Sequence, residues 1–116
     1  MALRRTLLVL LAGCLGCLAS SAKEYSDAEK QQLRQLYKDK CSPCHGVDGK
    51  GQTPAGKLLK ARNHTDAEWQ KSVSDEQLVH SITHGKDKMP KWGDKLSEEQ
   101  IRGLVEVVIR SLAASK

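Results

Sequence analysis

The sequence predicts an all-α fold. Three observations carry that prediction: three Ser-x-x-Glu/Gln capping signatures, each followed by apolar residues at helical spacing; the lack of any stretch that alternates like a half-buried strand; and two glycine-punctuated segments, 46–56 and 85–93, that read as loops between helices.

The elements follow in chain order. Residues 1–22 begin with Arg4-Arg5, continue as an uncharged apolar run from Thr6 to Ala19 and end in Ser20-Ser21-Ala22. A basic start, a short apolar stretch and a small-residue cleavage site predict an export signal cut after Ala22, leaving one domain over 23–116 in the periplasm. The run is too short to stay as a membrane span. Leu11-Ala12-Gly13-Cys14 also resembles a lipobox, so a membrane tether through an acylated Cys14 is the alternative fate. Ser26-Asp27-Ala28-Glu29 opens the first helix, which places Leu33, Leu36, Tyr37 and Lys40 on one face and runs into Cys41. Thr65-Asp66-Ala67-Glu68 opens one further turn carrying Trp69. Ser74-Asp75-Glu76-Gln77 starts a helix holding Leu78, Val79 and Ile82, stopped by Gly85 as a left-handed cap. Ser97-Glu98-Glu99-Gln100 starts the best amphipathic segment, in which Ile101, Leu104, Val105, Val108 and Leu112 repeat at helical spacing.

Composition says what must fill the middle of such a bundle. The chain has no Phe, two Trp and two Tyr, so aromatic side chains make up 3% of its 116 residues. A domain this small often leans on a staple, a metal or a prosthetic group. Without Arg4 and Arg5 the 19 basic residues fall to 17 against 14 acidic ones, a net of +3. That charge is too small and too evenly interspersed for a nucleic-acid partner. Cleavage would remove Cys14 and Cys17, and the remaining pair, Cys41 and Cys44, cannot build a multi-disulfide framework.

That pair belongs to Cys41-Ser42-Pro43-Cys44-His45, the C-x-x-C-H pattern of covalent haem attachment. Two thiols three positions apart at a helix end can each add across a vinyl group of one porphyrin, and the next residue turns its imidazole to the iron. A thioredoxin-like redox pair would need a βαβ pattern, a structural zinc site two more ligands, and a plain disulfide leaves His45 without a role. The sequence therefore predicts haem c held by Cys41 and Cys44, with His45 as an iron ligand. The second axial ligand is expected to be Met89, the single methionine after Met1. It lies in a polar, glycine-bounded loop where Pro90 restricts it to extended conformations. His64, His80 and His84 are the competing ligands. His80 and His84 stand one helical turn apart, a weak two-ligand zinc spacing, and are expected to face solvent.

Cys41 to Gly51, followed by Met89-Pro90-Lys91-Trp92 ahead of a C-terminal amphipathic helix, resembles the class I monohaem c-type cytochromes, bacterial members especially. The resemblance covers nearly all of 23–112. It implies a small helical bundle wrapped around the covalently attached haem, with first and last helices crossing near Gly103 beside an aromatic partner such as Tyr37. It also implies that His45 donates its second ring nitrogen to a loop carbonyl, for which Pro54 is the candidate. Val107 and Val108 stand where many relatives carry a bulky aromatic, so that crossing is expected to pack differently.

Histidine and methionine together leave no open position at iron, so the expected activity is single-electron transfer and not enzymatic turnover. Ile82, Leu104 and Val108 are expected to exclude water from the site. Lys86, Lys88, Lys91 and Lys95 bracket Met89, and Lys40, Lys50, Lys57 and Lys60 bracket the attachment motif. They would steer the protein to acidic surfaces on a redox partner, a reductase or an oxidase. Two other readings stand beside this one: a haem sensor or peroxidase-like protein with a labile sixth ligand, and a fixed subunit of a membrane oxidoreductase.

Overall fold

The computed structural model describes residues 23–113 and, before them, only Gly13 and Gly16. The expected export signal, with Cys14 and Cys17, therefore lies outside the described residues. Helix α1 spans Asp27–Lys40, α2 Ser42–His45, α3 Pro54–Leu59, α4 Ala67–Ser72, α5 Asp75–His84 and α6 Glu98–Gly103. A π-helical stretch over Leu104–Ile109 and a last turn α7, Arg110–Leu112, continue α6. No strand occurs among the described residues, only an isolated antiparallel bridge between Lys86 and Met89.

All three capping boxes form. Ser26, Ser74 and Ser97 each accept from the backbone three residues on, and Glu29, Gln77 and Gln100 return a bond to the cap. These contacts are local, which is why the helix starts were legible. Asp66 caps α4 through Glu68 and Trp69. Gly85 takes a positive φ as expected, but its ψ of 163° is extended and not left-handed helical. Helix α3 is a departure from the sequence reading, which ran the glycine-rich loop on to Gly56. Thr53 caps the helix by accepting from the Gly56 N–H, and Pro54 occupies its first turn, where a missing N–H costs nothing.

The core lies where α1 crosses the last helix. Ile101, Leu104 and Val105 are almost wholly excluded from solvent, each worth roughly 1.5–3 kcal/mol of burial, with Leu33, Tyr37, Val108 and Ile109 around them. Gly103 makes the crossing possible, since a Cβ there would stand 2.8 Å from both Leu33 methyl groups. Val108 is buried and Val107 partly so, filling the crossing without an aromatic ring. Tyr25 donates a 2.7 Å hydrogen bond to Glu106, and Lys23 pairs with Glu99, so residues 23–25 are stitched to the last helix.

The π stretch was not expected from the apolar periodicity. Its wider turn buries Leu104, Val105, Val108 and Ile109 together. The Ile109 carbonyl accepts a 2.7 Å bond from the buried Gln70 side chain. Gln70 also donates to the His64 carbonyl at 2.7 Å, tying the segment after α3 to the C-terminal helix.

Candidate functional site

The attachment motif sits at a break between helices. Cys41 ends α1, its N–H bonded to the Tyr37 carbonyl at 2.8 Å, and Pro43 opens the single turn of α2 that carries Cys44 and His45. Both thiols are free and half-buried. Burial pushes the Cys41 thiol up to about 11, so the folded chain keeps it protonated. Close backbone packing fixes the turn. A Cβ at Gly56 would fall 2.1 Å from the Cys44 carbonyl oxygen, and the Thr53 hydroxyl donates to the carbonyls of Pro43 and Cys44.

His45 is buried, and its Nδ1–H donates to the Arg62 carbonyl at 3.0 Å. This corrects the expectation of Pro54. That residue opens α3, whereas the chain after Lys60, turned by a left-handed φ of 56°, brings Arg62 under the imidazole. A carbonyl can only accept, so Nδ1 carries the proton and Nε2 is left with its lone pair for a metal. Burial lowers the His45 pKa, against the raising effect of its bond to Arg62.

A cavity of about 500 Å³ opens above this ring. Cys41, His45 and Met89 all line it, with Leu78, Ile82 and Ile109 among the apolar walls and Lys60, Lys86 and Lys88 among the polar ones. Three of the four residues singled out in the sequence thus converge on one space, while Cys44 stands in the adjoining turn and is not one of its walls. Of the side chains expected to exclude water, Ile82 lines the cavity; Leu104 and Val108 are buried but lie in the core behind it.

Met89 closes a tight turn in which its N–H donates to the Lys86 carbonyl at 2.9 Å and its carbonyl accepts from the Lys86 N–H at 3.3 Å. The turn needs Gly85, where a Cβ would stand 2.8 Å from the Met89 carbonyl oxygen. Beyond Pro90 the chain is pinned back on α5, Trp92 N–H to Ile82 O at 2.9 Å and Gly93 N–H to Thr83 O at 3.0 Å.

The competing histidines separate clearly. His80 and His84 are exposed on α5, their rings 4.5 Å apart, and neither lines the cavity. His64 is buried against the His45 ring, centroids 4.0 Å apart and planes within 18°. His64 lines the cavity too, but its Nδ1 is engaged by the Tyr37 hydroxyl at 2.9 Å and its ring lies flat on that of His45. Burial first, then the charges of neighbouring His45 and Arg62, push the His64 pKa down to about 3. Arg62, His64 and Gln70 pack around the candidate site in places the sequence did not assign them. Their places depend on how the loop after α3 folds; in the sequence only His64, as a competing ligand, and neighbouring Trp69 carried a signal.

The residues present fit haem c: paired thiols, a buried imidazole with Nδ1 fixed as donor, a methionine lining the same cavity, and apolar walls. A family profile described as cytochrome c oxidase, cbb3-type, subunit III matches residues 28–106. The chain is 32% identical over 89 residues to the cbb3-type cytochrome c oxidase subunit FixP of Rhizobium meliloti, covering 74% of this chain but 28% of that protein. It is 29% identical over 95 residues to chloroplastic cytochrome c6 of Chlamydomonas reinhardtii, covering 80% of this chain and 62% of that one. Among solved structures it resembles KustC0563 c-type cytochrome with a TM-score of 0.64 and 40% identity, over 68% of this chain and 94% of that chain.

Proposed function

Because this chain belongs to the monohaem c-type cytochromes, a family that works in electron transfer with covalently attached haem c, we propose that it is a single-electron carrier with His45 and Met89 as axial ligands and Cys41 and Cys44 as the thioether anchors. The observation that carries this reading is the placement of His45 and Met89 on one cavity, with His45 Nδ1 already committed to Arg62. When bound, the haem supplies an iron that cycles between two oxidation states.

The chain's own part is to hold its ligands still and keep water out. The Arg62 carbonyl fixes the His45 tautomer and direction, so the imidazole need not reorient as charge changes. Leu78, Ile82 and Ile109 lower the local dielectric, which disfavours the more highly charged oxidised state and raises the potential. A thioether in place of a second imidazole acts in the same direction. Ligation by both His45 and Met89 would leave no seat for substrate, which supports a carrier over an enzyme. Export to the periplasm, directed by residues 1–22, would place the thiols where c-type haem is attached.

Partners are proposed to be redox proteins with acidic docking surfaces. Lys60, Lys86 and Lys88 are exposed at the cavity margin, with Lys91 and Lys95 nearby, though Lys91 pairs with Asp94 at 3.2 Å and Lys95 covers the Trp92 ring. The match to an oxidase subunit profile favours one second reading, a chain that works fixed to a membrane oxidoreductase. Fractionation of wild type and Cys14→Ser separates the two. Membrane association lost in the variant supports the tethered form, and soluble material in both supports the free carrier. Visible spectra of the oxidised and reduced protein test the ligand set. Thioether-linked haem with a methionine–iron charge-transfer band is expected, and its absence would overturn the assignment of Met89.

A further inference from the structure

We propose that His64 is a positioning residue for the proximal ligand, its stacked ring fixing the plane of the His45 imidazole. This rests on the reading of His45 as haem ligand. One hydrogen bond from Nδ1 to the Arg62 carbonyl sets where the His45 ring points but leaves it free to rock about that bond. A flat ring packed 4.0 Å away and 18° from parallel removes the rocking.

For that, His64 must itself be immobile, and four contacts make it so. Its N–H donates to the Gly49 carbonyl at 2.7 Å, and its Nδ1 lies 2.9 Å from the buried Tyr37 hydroxyl. Its carbonyl accepts from Gln70 at 2.7 Å, and the Trp69 ring lies 16° from parallel at 5.7 Å. Gln70 is anchored in turn by the Ile109 carbonyl and by Arg110, whose guanidinium donates to the Gln70 carbonyl at 2.7 Å. A continuous set of contacts thus runs from the C-terminal helix through Gln70 and His64 to the ring that faces the iron. A structural histidine needs only some of these bonds. The near-parallel stacking on a ligand that already has its own orienting carbonyl is what indicates a function in orientation.

The plane of an axial imidazole decides which iron orbital holds the unpaired electron in the ferric state, so magnetic spectra report it directly. The test uses the haem-loaded protein with His64→Leu, which keeps bulk but loses the flat face, and His64→Phe, which keeps the face. The expected result is a shifted largest g value and reordered haem methyl resonances in the Leu variant, a near wild-type pattern in the Phe variant, and an unchanged methionine–iron band in both. Indistinguishable wild-type and Leu spectra would overturn the proposal, as would Phe and Leu variants shifted alike. Should the Leu variant not accumulate, His64→Met serves as the second side chain of similar bulk without a flat face, and its methyl resonances should shift; resonances identical to wild type overturn the proposal. Wild-type protein without a His/Met haem spectrum would instead remove the ligand reading on which the proposal rests.

Discussion

On the His45 side of the cavity the constraints are mostly backbone packed against backbone, whereas on the Met89 side one short turn is tied at its two ends. Gly46, Gly49 and Gly51 all take positive φ there, and the Arg62 carbonyl and the His64 ring bear on the imidazole from two directions. In the other segment, Met89 is held by its pair of bonds to Lys86 and by the return of Trp92 and Gly93 to α5, with exposed Asp87 at a φ of 52° between Lys86 and Met89. One proposed ligand is built into the fold; the other is presented by a loop. Damage near the first should cost structure, and damage near the second should cost chemistry.

The largest effect that sharpens this contrast is Gly56→Ala. Its Cβ would meet two backbone oxygens, Cys44 at 2.1 Å and Gly51 at 2.6 Å, and neither can move without opening the attachment turn. We expect a loss of about 4 kcal/mol or more in chemical denaturation; a loss below 1 kcal/mol would break the comparison on its rigid side. Met89→Ala should leave the helices in place by circular dichroism at a cost of about 2 kcal/mol, the low end for a half-buried methionine. Its potential should fall and the reduced protein should bind carbon monoxide. An inert, unshifted variant would mean that the loop ligand has been misassigned.

Smaller effects probe each side further. Tyr37→Phe leaves His64 Nδ1 without its partner and should cost about 1–3 kcal/mol; no change in midpoint would show that the frame around His64 is looser than its geometry. His64 titrates near 3 in the fold against an ordinary 6.5, so it stays neutral while an unfolded chain takes up a proton. Its contribution is complete above pH 6.5 and drains away as pH falls towards about 3. The denaturation midpoint of wild type should therefore fall across that window more steeply than that of His64→Phe, and parallel slopes would contradict the shift. The smallest effect belongs to the margin of the loop side. Lys86→Glu with Lys88→Glu should slow transfer to an acidic partner several-fold at low salt and little at high salt. Rates independent of ionic strength would remove the docking idea.

Legibility in the sequence followed the range of the interactions. The capping boxes at Ser26, Ser74 and Ser97 close within four residues, and the attachment motif within five, so both could be read directly. Met89 stood out because it is the single methionine after Met1 and stands beside Pro90 in a polar, glycine-bounded loop. The carbonyl that orients His45 comes from Arg62, 17 residues on, and reaches it only because Lys60 reverses the chain after a helix hidden among glycines. The stacking of His64 and the pivotal place of Gln70 depend on that same reversal. The π stretch kept the apolar pattern of an ordinary helix, and what it adds, an Ile109 carbonyl bonded to Gln70, no periodicity reveals.

Tyr25 bonded to Glu106, and Lys23 to Glu99, have a practical corollary for immobilisation. Whatever is joined ahead of Lys23, be it an acyl chain or a synthetic linker to an electrode, emerges beside the helix crossing, and neither Lys23 nor Tyr25 forms part of the cavity lining. Wiring the molecule at that end leaves the cavity margin open to arriving proteins, whereas a linker fused within the Met89 loop would cover it.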